Sequence, residues 1–220
     1  GDLWIQICIV LINGLEIFSM VLIMQLFFGV KPLKRLRNYP ILFAAICAYD
    51  AVVTLVCKEQ DMLQMLLLFG FLIVYGAVRV DKHRVRAGLE GILSCLLYVM
   101  YGFLTQMTGA ILGLDGYNIR LGEESQSVFE FAMDIVILVV LCLANRKVMT
   151  KHIDVRLTAG EEILLLAISL FSPVFCAGLD RIYHNVAGIK YSIAWVLFAI
   201  GVNAAVYAWI IHRKLTRHYK

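Results

Sequence analysis

No HExxH, no P-loop and no Gly-rich nucleotide motif occurs in the 220 residues. Their absence removes the readings that rest on those spacings, a zinc peptidase and a phosphate-cradling nucleotide enzyme among them. None of the five histidines (His83, His152, His184, His212, His218) falls in the middle of an apolar run, and none makes a convincing pair with a cysteine at one depth. A membrane cysteine peptidase therefore lacks its nucleophile–base pair. Asp180 and His184 stand at i, i+4, but two ligands are too few for a metal centre, and neither a metal nor a cofactor is expected. The six cysteines form no CxxC and lie mostly inside apolar runs, where they read as small hydrophobes. Cys57 and Cys176 fall near helix ends on one side, which allows a disulfide. Pro/Ser-rich linkers, low-complexity tracts and internal repeats are also missing, and the last absence weakens an inverted-repeat transporter reading. The first apolar run is too long for a cleavable signal peptide and has no basic segment before it. Lys190, at the edge of the last run, is too shallow for the Schiff-base lysine of a retinal protein.

What the chain has is apolar length. It is 61% hydrophobic with a mean hydropathy of +0.83, against roughly 45–50% apolar residues in soluble domains. Seven apolar runs, 3–29, 39–57, 62–78, 87–114, 128–145, 159–179 and 190–211, are each about as long as a span requires, roughly 17–25 residues. Helices are expected because every backbone polar group must be paired within lipid, and the ten-residue alternation of a membrane barrel is not seen.

Sixteen of the twenty Lys and Arg residues fall in four clusters, Lys31–Arg37, Arg79–Arg86, Arg146–Arg156 and Arg213–Lys220, each after a different run. That is the positive-inside pattern. It predicts an all-α polytopic membrane protein, a bundle of seven transmembrane helices with the N-terminus outside and the C-terminus inside. Asp2, Glu59, Asp61, Asp115, Glu123, Glu124 and Asp180 then lie outside, and Trp4 and Trp209 sit at opposite interfaces. The net charge of +4 is spread over separate loops, so nucleic acid is not an expected partner; anionic lipid of the inner leaflet is.

Charges inside spans are expensive and point to function. Glu90, Glu161 and Glu162 stand beside basic clusters at helix starts, where capping and the helix dipole explain them. Deeper lie Asn13 and Glu16 in the first run, Asp50 in the second, Asp134 in the fifth and Asn203 in the seventh, with Glu130 one turn from Asp134. No Lys or Arg lies at comparable depth. Three readings stay open for these carboxylates: interhelical hydrogen bonding, contact with a ligand in a wet outer cavity, or passage of an ion or proton. The sizeable outer connections are Asp115–Ser127 and Asp180–Ile189. Tyr117, Arg120, Asp180, Arg181, Tyr183 and His184 in them, with Asp50, Glu130 and Asp134 below, form the expected ligand-contact set. Ser172-Pro173 predicts a kink in the sixth helix.

Seven spans with short loops, a last helix running into HRKLTRHYK, and the stretches VFEFAMDIVIL from Val128 and LFSPVFCAGLDRIYHN at 170–185 together resemble the membrane sensor region of a bacterial histidine kinase. The similarity is to the quorum-sensing kinases of the accessory-gene-regulator type, in the GHKL ATPase superfamily. The resemblance implies an extracellular signal molecule, often a small peptide, a homodimer in the bacterial plasma membrane, and transmission through the seventh helix. It also implies that 212–220 is the cytoplasmic start of a kinase output module. No catalytic motif lies in the chain itself. The alternative reading is a small secondary transporter or proton-coupled carrier using the intramembrane carboxylates.

Overall fold

A computed structural model describes residues 2–114, 116–122, 124–168, 170–171 and 189–219. The chain is mostly helical: α1 (Asp2–Phe27), α2 (Asn38–Val56), α3 (Asp61–Val78), α4 (Arg84–Ile111), α5 (Val128–Lys151), α6 (residues 159–168) and α7 (Ile189–His218). Among the described residues, α1 to α5 are long and apolar enough to cross a membrane. The kink expected at Ser172-Pro173, like Cys176, lies outside the described residues; Cys57 is a free, buried thiol.

One connection departs from the all-α expectation. Residues 118–127 form an antiparallel hairpin, β1 (Asn118–Leu121) against β2 (Glu124–Ser127), with Asn118 opposite Ser127 and Arg120 opposite Ser125. Gly122, at φ +71°, supplies the left-handed turn residue. The hairpin leads straight into α5, whose Ser127 hydroxyl accepts the Glu130 backbone N–H at 3.4 Å, the Ser-x-x-Glu arrangement of a helix start. At the other end α5 runs past Asn145, where its apolar run stops, to a left-handed cap at His152. Arg146, Lys147, Met149 and Lys151, all good helix formers, carry it on, with basic residues favourable at a helix C-terminus.

Helix α1 is the axis of the bundle and packs against α2, α4 and α5, while α3 packs mainly on α4. Its second half, Ile17–Met24, is buried on every side, as expected of a helix apolar all round. Lipid tails are as apolar as this core, so close packing rather than water exclusion holds the helices together. Gly76 and Gly91 provide it between α3 and α4: a Cβ on Gly76 would lie 2.5 Å from the Ala87 carbonyl, and one on Gly91 2.6 Å from that of Leu72. Large apolar side chains such as Trp4, Ile41, Val74 and Leu143 face outward, the surface that a bilayer would cover.

The four basic clusters converge at one end of this bundle. Lys31 N–H donates to the Arg79 carbonyl at 3.0 Å, the Arg156 side chain lies against Gly29, and Lys214 Nζ donates to the Arg156 carbonyl. The hairpin and the turn at Cys57–Gln60 lie at the opposite end.

Candidate functional site

The polar side chains of the spans separate into three groups. The first lines a cavity of about 240 Å³ between α1, α2 and α3. Asn13 and Glu16 stand three residues apart on one face of α1, Asp50 faces them from α2, and Asp61 and Gln64 close the cavity from the first turn of α3. Asn13 Nδ2 donates to Asp50 Oδ2 at 3.3 Å. Tyr49 donates through its hydroxyl to the Leu67 carbonyl at 2.7 Å, tying α2 to α3 beside the cavity. Glu16 is half-buried and has no hydrogen-bond or ion-pair partner among the described residues, but lies within electrostatic reach of Asp134, Asp50 and Glu130. Three carboxylates and no basic side chain make up the charge of the wall. Such a site accepts hydrogen bonds and attracts a cation. Its volume is below the roughly 300–1,000 Å³ of a drug-sized ligand pocket, so it suits one amine or guanidinium group rather than a whole peptide.

The second group is closed. Asp134, buried on α5, accepts the Tyr98 hydroxyl of α4 at 2.9 Å, and the neighbouring Tyr101 hydroxyl donates to the Met133 carbonyl at 2.6 Å. Glu130, one turn away, turns instead into a separate cavity of about 300 Å³ that it shares with Gln106, Asn118 and Ser125. Tyr98 was not legible as a partner, because a tyrosine in an apolar run reads as core. Its signal is that a buried phenol needs an acceptor and Asp134 needs a donor.

The third group crosses the bundle near the basic end. Tyr39 donates to Gln25 Oε1 at 3.1 Å, Gln25 Nε2 to Asn145 Oδ1 at 3.1 Å, and Asn145 Nδ2 to the carbonyls of Leu141 and Leu22 at 2.8 and 3.2 Å. This chain joins α2, α1 and α5 with each amide satisfied. Below it, Arg86 holds both Glu90 at 2.9 Å and Glu162 at 3.0 Å, and Lys214 holds Glu161 at 3.3 Å. Thr158 caps α6 by accepting the Glu161 N–H at 3.4 Å. The three glutamates at helix starts thus pair with the basic clusters and tie α4, α6 and α7 together.

The described members of the ligand-contact set expected from the sequence do not line one cavity. Asp50 belongs with Asn13 and Glu16, Asp134 with Tyr98, and Glu130 with the hairpin. Tyr117 and Arg120 are exposed at the hairpin, outside the walls of the Asp50 and Glu130 cavities. Asn203 is buried on α7. Asp180, Arg181, Tyr183 and His184 lie outside the described residues. Comparison with protein-family models, with curated proteins and with solved structures finds no match for the chain.

Proposed function

We propose that the chain is a membrane sensor domain of seven spans, N-terminus outside and C-terminus inside. In this reading it receives an extracellular signal in the cavity between α1, α2 and α3 and transmits it through α7. The observation that carries the reading is that cavity: Glu16, Asp50 and Asp61 face it with no basic side chain in its wall. The group of the signal that enters is cationic or rich in hydrogen-bond donors, such as the amine or guanidinium of a small peptide. Lys214 joins α7 to α6 and to the Arg156 carbonyl, and Arg86 joins α6 to α4, so a tilt of α4 reaches the C-terminal end of α7. Signalling is a shift between two packings that the ligand favours unequally. The output is a cytoplasmic histidine kinase module, and the working unit is a homodimer in a bacterial plasma membrane.

Methylammonium, guanidinium and tetramethylammonium titrated onto the purified chain in neutral detergent test the cavity. At least one raises the unfolding midpoint, and the rise disappears in Glu16→Gln/Asp50→Asn. No rise with any of the three contradicts the reading.

A carrier is the second reading, favoured by one observation: Glu16 lies within electrostatic reach of both Asp50 and Asp134, a line of carboxylates of the kind a proton or cation follows. Flux of the same cations into proteoliposomes separates the two, since a sensor moves none.

A further inference from the structure

At the basic end a recess of about 410 Å³ opens between the end of α1 and the α3–α4 and α5–α6 connections. Lys31, Lys82, Arg86 and Arg156 stand in its wall with His83, against the carboxylates of Asp81 and Glu90. Internal pairing leaves an excess of positive charge. Lys31 is held by Asp81 at 2.6 Å and Arg86 by Glu90 and Glu162. Lys82, His83 and the Arg156 guanidinium make no side-chain hydrogen bond or ion pair among the described residues, although Lys82 lies within electrostatic reach of Asp81. Like charges gathered in excess of their counter-charges repel one another, and a bound anion relieves this.

The recess is built rather than incidental. Leu157 N–H donates to the Phe27 carbonyl at 2.9 Å and Lys31 N–H to the Arg79 carbonyl at 3.0 Å. The Arg79 guanidinium donates to the carbonyls of Lys31 and Pro32, each at 3.1 Å. Three connections are thereby stapled around one space. Gly29, at φ +70°, turns the chain there, and a Cβ on it would lie 2.9 Å from Arg156 Nε. The bare backbone is what lets the guanidinium lie in the wall. The wall also includes Arg86 in the first turn of α4, a helix start without a side-chain cap, so the positive end of the helix dipole adds to the cations; the Ala87 N–H is taken by the His83 carbonyl at 3.0 Å.

We infer that this recess binds a phosphoryl group, borne by an anionic lipid headgroup or by free phosphate. A phosphomonoester carries about −1.5 to −2 charges near neutral pH, opposite in sign to the surplus in the wall. Its oxygens point several ways, as do Arg156, Lys82 and the α4 start. The Arg156 fork suits two of those oxygens, and Lys82 acts as a point charge.

Native mass spectrometry tests this in two arms: the chain in neutral detergent with inorganic phosphate, and the chain released from nanodiscs of phosphatidylcholine with a minor share of phosphatidic acid. The result expected is one phosphoryl adduct per chain in at least one arm, reduced about tenfold or more in Lys82→Gln/Arg156→Gln, the loss of two charge-assisted contacts. Lys82→Gln alone, a change at an exposed loop position, weakens the adduct without touching the packing and guards against a misfolded double variant. Lys34→Gln/Arg35→Gln removes the same charge from exposed positions outside the recess and leaves the adduct intact. An adduct with phosphatidic acid alone assigns the lipid as the source, and one with phosphate alone assigns the free ion. No adduct in either arm overturns the inference, as does an equal loss in the Lys34/Arg35 variant.

Discussion

Tyr98 and Asp134 show what a single polar contact is worth inside an apolar bundle. Both are buried, and each satisfies the other at 2.9 Å. Interhelical hydrogen bonds in lipid average about 0.6 kcal/mol and reach about 1.7. A double-mutant cycle of Tyr98→Phe and Asp134→Asn, read by unfolding in detergent, is expected to give a coupling of about 1 kcal/mol. A coupling near zero would remove the pair as a link between α4 and α5. At the surface, the Lys31 ammonium 2.6 Å away holds the Asp81 carboxyl below the usual carboxylate range. Because the folded value is depressed, the pair's contribution is complete above the ordinary aspartate value of about 3.9 and is lost as pH falls through the lower folded value. In Lys31→Ala the NMR titration of Asp81 is expected to move up toward the ordinary value. The carboxylates themselves were legible, since charge within an apolar run is rare and conspicuous. Tyr98, Gln25 and Asn145 were not, because an uncharged polar residue in such a run announces no partner.

Glycine use at the α3–α4 contact shows the same limit for elements. Gly70, Gly76, Gly88, Gly91 and Gly102 look alike in sequence. In the fold, Gly76, Gly88 and Gly91 face backbone or side chain of the opposite helix, whereas Gly70 and Gly102 have nothing within 4 Å of an added Cβ. Gly91→Val is therefore expected to destabilise by about 1–3 kcal/mol through overpacking. Gly102→Ala is expected to be neutral or to stabilise by up to about 1 kcal/mol, because glycine is costly within a helix. Thermal unfolding of both variants checks the contrast, and equal effects would contradict the packing described. The apolar runs located α1 to α5, the helices long and apolar enough to cross a membrane, because lipid sets their length. They did not locate the β1–β2 hairpin, which depends on Gly122 and on backbone pairing between polar strands, nor the end of α5, where helix propensity continues after the apolar run stops.

At the scale of the whole molecule, the clustering of Lys and Arg fixed which ends of the helices belong together, and contacts among all four clusters follow it. Which helices are neighbours was not legible, because the same runs can be arranged around any of them. The central place of α1, and with it the cavity joining Glu16 to Asp50, comes only from the fold. Lys214 is one tie between α7 and its neighbours at the basic end, bonded to Glu161 and to the Arg156 carbonyl. Lys214→Gln is expected to speed hydrogen exchange in the last turns of α7 while leaving α2 and α3 unchanged; uniform protection would separate α7 from any relay. The central claim is that a carboxylate cavity opens to the outside and selects for positive charge. Its most direct measurement is the reactivity of Glu16→Cys, in a chain with the six native cysteines replaced, toward membrane-impermeant thiol reagents of one size added outside right-side-out vesicles. The account predicts that the cationic reagent reacts about tenfold or more faster than the anionic one, the lower end of charge focusing in a cleft. Equal rates, or reaction only from the inner side, would contradict it.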